Sequence, residues 1–214
     1  MSGIVFQLKA ADACVWADHG SGAGMDGSFW RPSVIDEGYF LLGDVAQAGY
    51  DQPQTPATLV RAIEDGHGLP PLAPPLSLTL FWNNLDGANW SFKGDAPVSF
   101  WQLNPPPFYR ALGVVLTGNG VWPGALTDTP PLTLFRCVRE DLLVQAGVTG
   151  PIWTDQESGI FIDVRCDQIQ SDTALVSGSF VVSHDYDNPA PGPYWALNAP
   201  PAKVGEQGVI QGVM

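Results

Sequence analysis

The sequence predicts a single all-β domain over residues 1–214, and three observations favour this fold class. The chain contains 24 glycines and 20 prolines with no collagen period, which is typical of many short strands joined by tight turns. Its apolar segments alternate as strands do, and parts of the sequence recur in order. Hydrophobic residues make up 45% of the chain and charged residues 14%, so the apolar area is sufficient for one core.

Strand-like segments occur along the whole chain. SLTLFWNN, GIFIDVRC and ALVSGSFVVSHD carry β-branched and aromatic residues over four to eight positions between Gly, Pro and Asn. Only ATLVRAIEDGHG and FRCVREDLLVQAG also fit a helical turn or two. The final segment, KVGEQGVIQGVM, fits either a last edge strand or a loose tail.

Internal repetition is the third observation. A Trp-x-Asp-x-x-Ser-Gly pattern appears near the N-terminus and again in the last third of the chain, with a weaker version between them that has Asn for Asp. The members are Trp16, Asp18, Ser21 and Gly22; Trp82, Asn84 and Gly87; and Trp153, Asp155, Ser158 and Gly159. Tyr39, Leu42, Gly43, Val45 and Pro53 also recur 70 positions later in the second copy.

The repeats predict an architecture. The copies run approximately over residues 14–76, 78–148 and 150–200, and each holds three or four strands. Such a unit cannot bury its apolar face alone, so the three should share one core. We therefore expect a β-prism-like domain with pseudo-threefold symmetry. A two-layer β-sandwich is the alternative.

Charge and segment composition exclude some function classes. The formal net charge is −13, which argues against nucleic acid or an anionic membrane as partner. No apolar run is long enough for a transmembrane segment, and no signal peptide is evident, so the chain as written is expected to be soluble and cytoplasmic, with non-classical secretion left open. Cys14, Cys137 and Cys166 are widely spaced and are expected to be reduced.

Residues 14–53 carry a family resemblance. The strings WADHGSGAGMDGSFWRP and GYFLLGDVAQAGYDQP resemble the vacuolar protein sorting-associated protein sixty-two family, and RCVREDL at 136–142 is similar to a phrase that follows its second copy. The resemblance implies a β-rich fold and an interaction role. It implies no catalytic residue.

The loop DHGSGAGMDGS is the first candidate site. Asp18, Ser21, Asp26 and Ser28 are oxygen donors separated by glycines that permit close backbone approach. Such a loop could bind hydroxyl groups, and Asp18 and Asp26 are candidate ligands for calcium, although no cofactor is required. The alternative is an ordered turn in which the two aspartates cap backbone amides.

Residues near this loop and in its repeat extend the candidate site. Arg31 could bind a ligand, or pair bidentately with Asp18, Asp26 or Asp44 and fix the turn. Asp155 and Ser158 occupy the same positions in the third copy and are candidate ligand residues there.

The tryptophans divide into two groups. Trp16, Trp82 and Trp153 recur in register and are expected in the core. Trp122 and Trp195 lie among Gly, Pro and Asn, and we expect them at the surface as ligand-binding residues.

These observations favour a binding module over an enzyme, because the three histidines lack metal spacing and no catalytic motif is present. The leading hypothesis is a lectin-like module that recognises a glycan or another small hydroxyl-rich ligand through its polar loops. One alternative is a protein-interaction or membrane-associating module, of a sorting or toxin-like kind. Another is a small enzyme with a shape-based apolar pocket. Formation of a homo-oligomer is left open.

Overall fold

The computed structural model of the protein describes residues 2–63, 68–86, 91–92, 96–118 and 129–212. Within these ranges the chain forms strands and two short 3-10 turns, Leu132–Leu134 and Glu140–Leu142, and no α-helix. The prediction of an all-β fold is confirmed. No helix in the described ranges is long and apolar enough to cross a membrane.

The strands, in chain order, are β1 (Gly3–Lys9), β2 (Ala13–Ala17), β3 (Gly27–Arg31), β4 (Phe40–Leu41), β5 (Val45–Ala48), β6 (Ala57–Ile63), β7 (Leu72–Ala73), β8 (Ser77–Asn83), β9 (Leu85–Asp86), β10 (Ser91–Phe92), β11 (Val98–Asn104), β12 (Tyr109–Arg110), β13 (Val114–Gly118), β14 (Cys137–Arg139), β15 (Leu143–Thr154), β16 (Arg165–Gln170), β17 (Phe180–Ser183), β18 (Tyr194–Leu197) and β19 (Gln207–Gln211).

The strands pair in several small antiparallel sheets. Three of these sheets each contain one of the recurring tryptophans, and we call them the first, second and third tryptophan sheets. Their strand orders are β2-β3-β5, β13-β11-β8 and β17-β16-β15-β18. The other sheets are β19-β1-β6-β4, β12-β14-β7 and β10-β9. The last strand, β19, pairs with β1 along Gln207–Gln211, so the C-terminal segment forms an edge strand and not a loose tail.

The two segments with a helical signal fold differently from that expectation. Ala57–Ile63 is a strand that pairs with all of Gly3–Lys9, so the helical prediction is wrong there. A single helical turn adds little stability on its own. A seven-residue pairing of two strands that buries side chains adds considerably more. In the second segment the helical signal amounts only to the 3-10 turn Glu140–Leu142. The strand Leu143–Thr154 then runs across the expected boundary between the second and third copies.

One aromatic core lies between the three tryptophan sheets. Trp16, Trp82 and Trp153 are buried, as predicted, and pack with Phe29 and Phe100. The Trp153 ring lies 5.6 Å from the Trp16 ring and 5.7 Å from the Trp82 ring, both in edge-on contact. This geometry is the favoured one for aromatic pairs. Three separate stretches of sequence therefore contribute to one core.

The indole nitrogens connect the three copies in a cycle. Trp16 Nε1 donates to the Ala96 carbonyl oxygen in the second copy at 3.0 Å. Trp82 Nε1 donates to the Ile162 carbonyl oxygen in the third copy at 2.7 Å. Trp153 Nε1 closes the cycle by donating to Asp18 Oδ2 in the first copy at 2.8 Å. Each buried N–H thus has a partner, as burial requires.

The cysteines are free, as expected. Cys137 and Cys166 are buried, and burial raises the pKa of both thiols, to about 12 for Cys137. Cys14 is exposed. The two buried cysteines pack as small apolar residues.

Candidate functional site

The first loop, residues 18–28, is an ordered turn. Asp18 is 3% exposed, and its Oδ1 accepts a hydrogen bond from the Gly27 amide at 3.1 Å. Its Oδ2 accepts the Trp153 indole bond, and the buried Ser21 hydroxyl accepts from the amide two residues on. The predicted capping role of Asp18 is therefore present. A ligand or metal role for Asp18 and Ser21 stays a prediction, and it would require these bonds to break.

Asp26 and Ser28, at the end of the same loop, differ in exposure. Asp26 is exposed, and one of its oxygens accepts from the Tyr50 hydroxyl at 3.0 Å. Ser28 is buried, where it donates to the Gly49 carbonyl oxygen at 2.6 Å and accepts from Trp30 Nε1 at 2.8 Å. Of the two, only Asp26 presents a side chain to solvent.

Arg31 pairs with Asp44, one of the three partners that the sequence allowed. Nε and Nη2 of Arg31 donate to the two carboxylate oxygens of Asp44 at 2.8 and 2.7 Å, and Nη2 also donates to the Leu116 carbonyl oxygen. Burial alone would lower the pKa of Arg31. The charge of the fully buried Asp44 carboxylate and its hydrogen bonds outweigh this effect, so the pKa of Arg31 is raised overall. The bidentate pair fixes the turn, so binding of a ligand by Arg31 stays a prediction.

The described residues contain no group of three or more His, Cys, Asp or Glu side chains that could hold a metal ion. Calcium binding by Asp18 and Asp26 stays a prediction.

The third loop, residues 155–163, repeats the turn of the first. The Val164 amide donates to Asp155 Oδ1 at 2.7 Å, and the buried Ser158 hydroxyl accepts from the amide two residues on. The Tyr186 hydroxyl lies 2.8 Å from the same Asp155 oxygen. Asp155 is 1% exposed, so this predicted ligand residue is also a turn residue.

Asp155 differs from Asp18 in one respect. The indole of Trp153 reaches Asp18 Oδ2, but the preceding indole, that of Trp82, reaches the Ile162 carbonyl oxygen. Asp155 Oδ2 is consequently buried with no hydrogen-bond partner among the described residues. Burial raises the pKa of Asp155, because the ionised carboxylate loses solvation that nothing replaces at Oδ2.

Tyr50 of the first copy and Tyr186 of the third occupy equivalent positions, which the sequence analysis did not identify. Tyr50 contacts Asp26, and Tyr186 lies 3.1 Å from Asp163 Oδ1, so each hydroxyl ties down the end of its loop. Burial, together with the nearby carboxylates, raises the pKa of both phenols. The signal was present as Tyr-Asp-x-Pro, which begins at Tyr50 and again at Tyr186.

A cleft of about 260 Å³ opens between the second and third tryptophan sheets, and we call it the sheet cleft. Apolar residues that include Ile169 and Phe180 line it, as do Tyr194, Trp195 and the prolines of residues 190–193. Trp195 is half-buried there, which agrees with its expected surface position. Trp122, the other predicted surface tryptophan, lies outside the described residues.

The polar groups of the sheet cleft are neutral, and those of Asn104 and Tyr194 are held by hydrogen bonds. Asn104 Nδ2 donates to the hydroxyls of Ser77 and Thr79, both at 2.9 Å. These two bonds fix the orientation of the amide, and therefore also that of Oδ1. The exposed Gln102 lies two residues away on the same strand. The Tyr194 hydroxyl donates to the carbonyl oxygen of Ala190. No lining residue is charged.

Trp195 is supported from outside the cleft. The Arg110 guanidinium lies over its ring, 5.6 Å from the centroid, and pairs with Glu140 at 3.0 Å. A cation over the face of an indole is attracted to it, which restricts the ring.

Comparison with known proteins shows where this fold occurs. The chain is similar to the crystal structure of GNIP1Aa from Chromobacterium piscinae, with a TM-score of 0.71 and 23% sequence identity. The match covers 92% of this chain and 38% of that one, so the chain spans well under half of that protein. At this identity the likeness shows the fold alone. No curated protein sequence matches. A family model described as vacuolar protein sorting-associated protein 62 matches residues 4–191.

Proposed function

The chain belongs to the vacuolar protein sorting-associated protein 62 family, and from this premise we propose that it is a lectin-like binding module whose sheet cleft takes a neutral glycan. The family description fits a non-enzymatic binding or sorting module, and the structural neighbour supports the fold on which it rests. The observation that carries the finer proposal is the composition of the cleft, where two aromatic residues line an opening with two uncharged amides, of which that of Asn104 is held by two hydroxyls.

The scaffold in this proposal is a β-prism with pseudo-threefold symmetry. Its support is the cycle of indole hydrogen bonds, in which each copy donates to the next. Three matching turns add to it, because in every copy an Asp or Asn side chain accepts from a backbone amide at the start of a later strand or one residue before it. The accepting side chains are those of Asp18, Asn84 and Asp155. A two-layer sandwich would not require a cycle.

The chemistry of the sheet cleft suits a sugar. The apolar face of a pyranose ring stacks on indole and phenol rings, and its hydroxyls need neutral donors and acceptors near the ring edge. Trp195 supplies the stacking ring, while Asn104 Oδ1 and the Gln102 amide supply the polar groups. Tyr194 precedes Trp195 on β18, where successive side chains point to opposite faces, so one ring stacks on the sugar. A charged ligand would find no counter-ion among the lining residues.

The same lining favours binding over catalysis. General acid or base chemistry needs a titratable group within reach of the ligand. Of the side chains that line the cleft, only that of Tyr194 titrates, and burial raises its pKa further from neutrality.

A glycan array tests the proposal. We expect the wild-type protein to bind a subset of neutral glycans equally with and without a chelator, since the cleft offers no cation ligands. Trp195→Ala should weaken binding by about tenfold or more, which corresponds to about 1.4 kcal/mol of lost stacking. Tyr39→Ala is the matched control, because Tyr39 also lies under an arginine, Arg61, but outside the cleft.

Three outcomes would contradict the proposal. Absence of binding above background in both conditions would exclude glycan recognition. Binding that Trp195→Ala leaves unchanged would move the site elsewhere. Binding that the chelator abolishes would instead favour a calcium site near the exposed Asp26 of the first loop.

A further inference from the structure

The tip of the third loop carries an exposed apolar pair that is not part of the lining of the sheet cleft. Phe161 is 82% exposed and Ile162 is 48% exposed, whereas Ile160 beside them is buried in the aromatic core. The first loop has Gly24 at the position that corresponds to Phe161. The turn therefore does not need a large side chain there, and the third copy presents one to solvent.

The loop that holds this pair is fixed at several points. The Ile162 carbonyl oxygen accepts the Trp82 indole bond, and the Gln156 carbonyl oxygen accepts from the Gly24 amide at 2.8 Å. Tyr186 holds the loop end through Asp163. An aromatic side chain on a loop held in this way loses little freedom when a partner covers it, which favours a role as a binding anchor.

Carboxylates flank the exposed pair. Glu157 and Asp163 lie in the loop itself, and Asp185 and Asp187 lie beside Tyr186. Two basic residues of the described part of the chain lie near these carboxylates. Arg165 is engaged by both oxygens of Asp167, with Asp185 and Asp187 acting on it from further away, and His184 Nδ1 lies 2.7 Å from the Asp163 carbonyl oxygen. The surface around the tip is therefore acidic.

Glu157 sits in a costly backbone conformation. Its φ is +73°, in the left-handed region, where the first loop has Gly20 with φ +70°. A glycine would serve the turn without strain. A glutamate at this position adds a carboxylate to the acidic rim.

We propose that Phe161 and Ile162, within the acidic rim of the third loop, dock a cationic segment of another protein, with an apolar residue of that segment covering Phe161. The occupant follows from charge complementarity, because lysine or arginine side chains would face Glu157, Asp163 and Asp185. An anionic lipid surface would be repelled by the same carboxylates.

The test uses two synthetic peptides of equal length, one alternating lysine and leucine and one alternating glutamate and leucine, with binding followed by fluorescence anisotropy. We expect the lysine peptide to bind the wild-type protein, and more weakly as salt rises. Phe161→Ala should weaken binding about tenfold or more. Phe108→Ala is the matched control, because Phe108 is 65% exposed elsewhere on the surface, and it should leave binding unchanged.

The proposal is overturned if Phe161→Ala binds the lysine peptide as the wild type does, or if the glutamate peptide binds equally well. Phe161-dependent flotation with phosphatidylserine vesicles, without peptide binding, would assign the tip to a membrane instead. Thermal unfolding of both variants checks that they fold. Trp195→Ala should not alter peptide binding, so failure here and failure of the glycan proposal are separable.

Discussion

Replacing Asp155 by asparagine should stabilise this protein, although Asp155 is among the most deeply buried polar residues. Its Oδ2 has no hydrogen-bond partner among the described residues. The second copy shows what an amide does at this position. Asn84 Oδ1 accepts from the Val98 amide, and Asn84 Nδ2 donates to the Ala96 carbonyl oxygen at 2.8 Å.

The same carbonyl oxygen of Ala96 also accepts the Trp16 indole bond. Its counterpart in the third copy is the Ile162 carbonyl oxygen, which accepts the Trp82 indole. In Asp155→Asn, the new Nδ2 is therefore placed to donate to Ile162.

The magnitude follows from two contributions. A new hydrogen bond adds about 1 kcal/mol, and removal of an unpartnered buried oxygen removes a penalty of about 1–3 kcal/mol. In the variant, the remaining side-chain oxygen still accepts from Val164, and the Tyr186 hydroxyl can still donate there or to Asp163. Some of the gain is offset by imperfect fit, so we expect a net gain of about 2 kcal/mol at pH 7. For a chain of this size, that raises Tm by about 4–8 °C.

The gain should depend on pH with a definite sign. The folded-state pKa of Asp155 is raised above its ordinary value of 3.8, so in the interval above 3.8 the folded protein binds more protons than the unfolded chain. Stability from this group is therefore lost as the pH rises from 3.8 through the raised pKa. The amide of the variant does not titrate. The variant's advantage should be largest at neutral pH and should shrink as the pH falls toward about 4.

Thermal unfolding of the wild type and Asp155→Asn at a series of pH values measures this. The control is Asp18→Asn at the corresponding position of the first copy. Asp18 Oδ2 accepts a hydrogen bond from the Trp153 indole. In Asp18→Asn the new Nδ2 would face the indole N–H, so two donors would meet and the variant should unfold more easily by about 1–3 kcal/mol. The reasoning fails if Asp155→Asn lowers Tm at pH 7, if its gain does not vary with pH, or if both variants shift alike.

Two further predictions concern the packing around the first copy. Arg31→Met should destabilise by about 3–5 kcal/mol in urea unfolding, because it leaves the Asp44 carboxylate buried and unpaired, and adding Asp44→Asn should recover part of this loss. An Arg31→Met variant as stable as the wild type would contradict it. Gly27→Ala should cost about 1–3 kcal/mol, because the added Cβ would lie 2.5 Å from Cδ1 of Trp153. Gly147→Ala, whose Cβ would meet nothing nearer than 4.0 Å, is the control that should stay near wild-type Tm.

The all-β fold and the core tryptophans could be predicted because both depend on local pattern. Trp16, Trp82 and Trp153 recur at matching positions, and a large apolar residue that recurs in register faces the shared core. Proximity in sequence indicates three candidate partners for Arg31, namely Asp18, Asp26 and Asp44. The choice of Asp44 depended on pairing between β3 and β5, which aligns Trp30 with Val45 and so brings the two side chains to one edge.

The sheet cleft could not be predicted, because its parts come from strands that no local rule brings together. Asn104 ends β11, while Trp195 lies on β18, and only the packing of the second and third tryptophan sheets places them around one opening. The polar loop at residues 18–28 instead uses its oxygens to close its own turn, as Asp18 does. A cluster of donors in sequence marks a turn at least as well as a site, since Asp and Ser side chains readily form hydrogen bonds to nearby backbone amides. Two residues of the third loop therefore distinguish it from the first. Asp155 has a buried carboxylate oxygen with no hydrogen-bond partner among the described residues, and Phe161 has a large exposed side chain that the turn does not require.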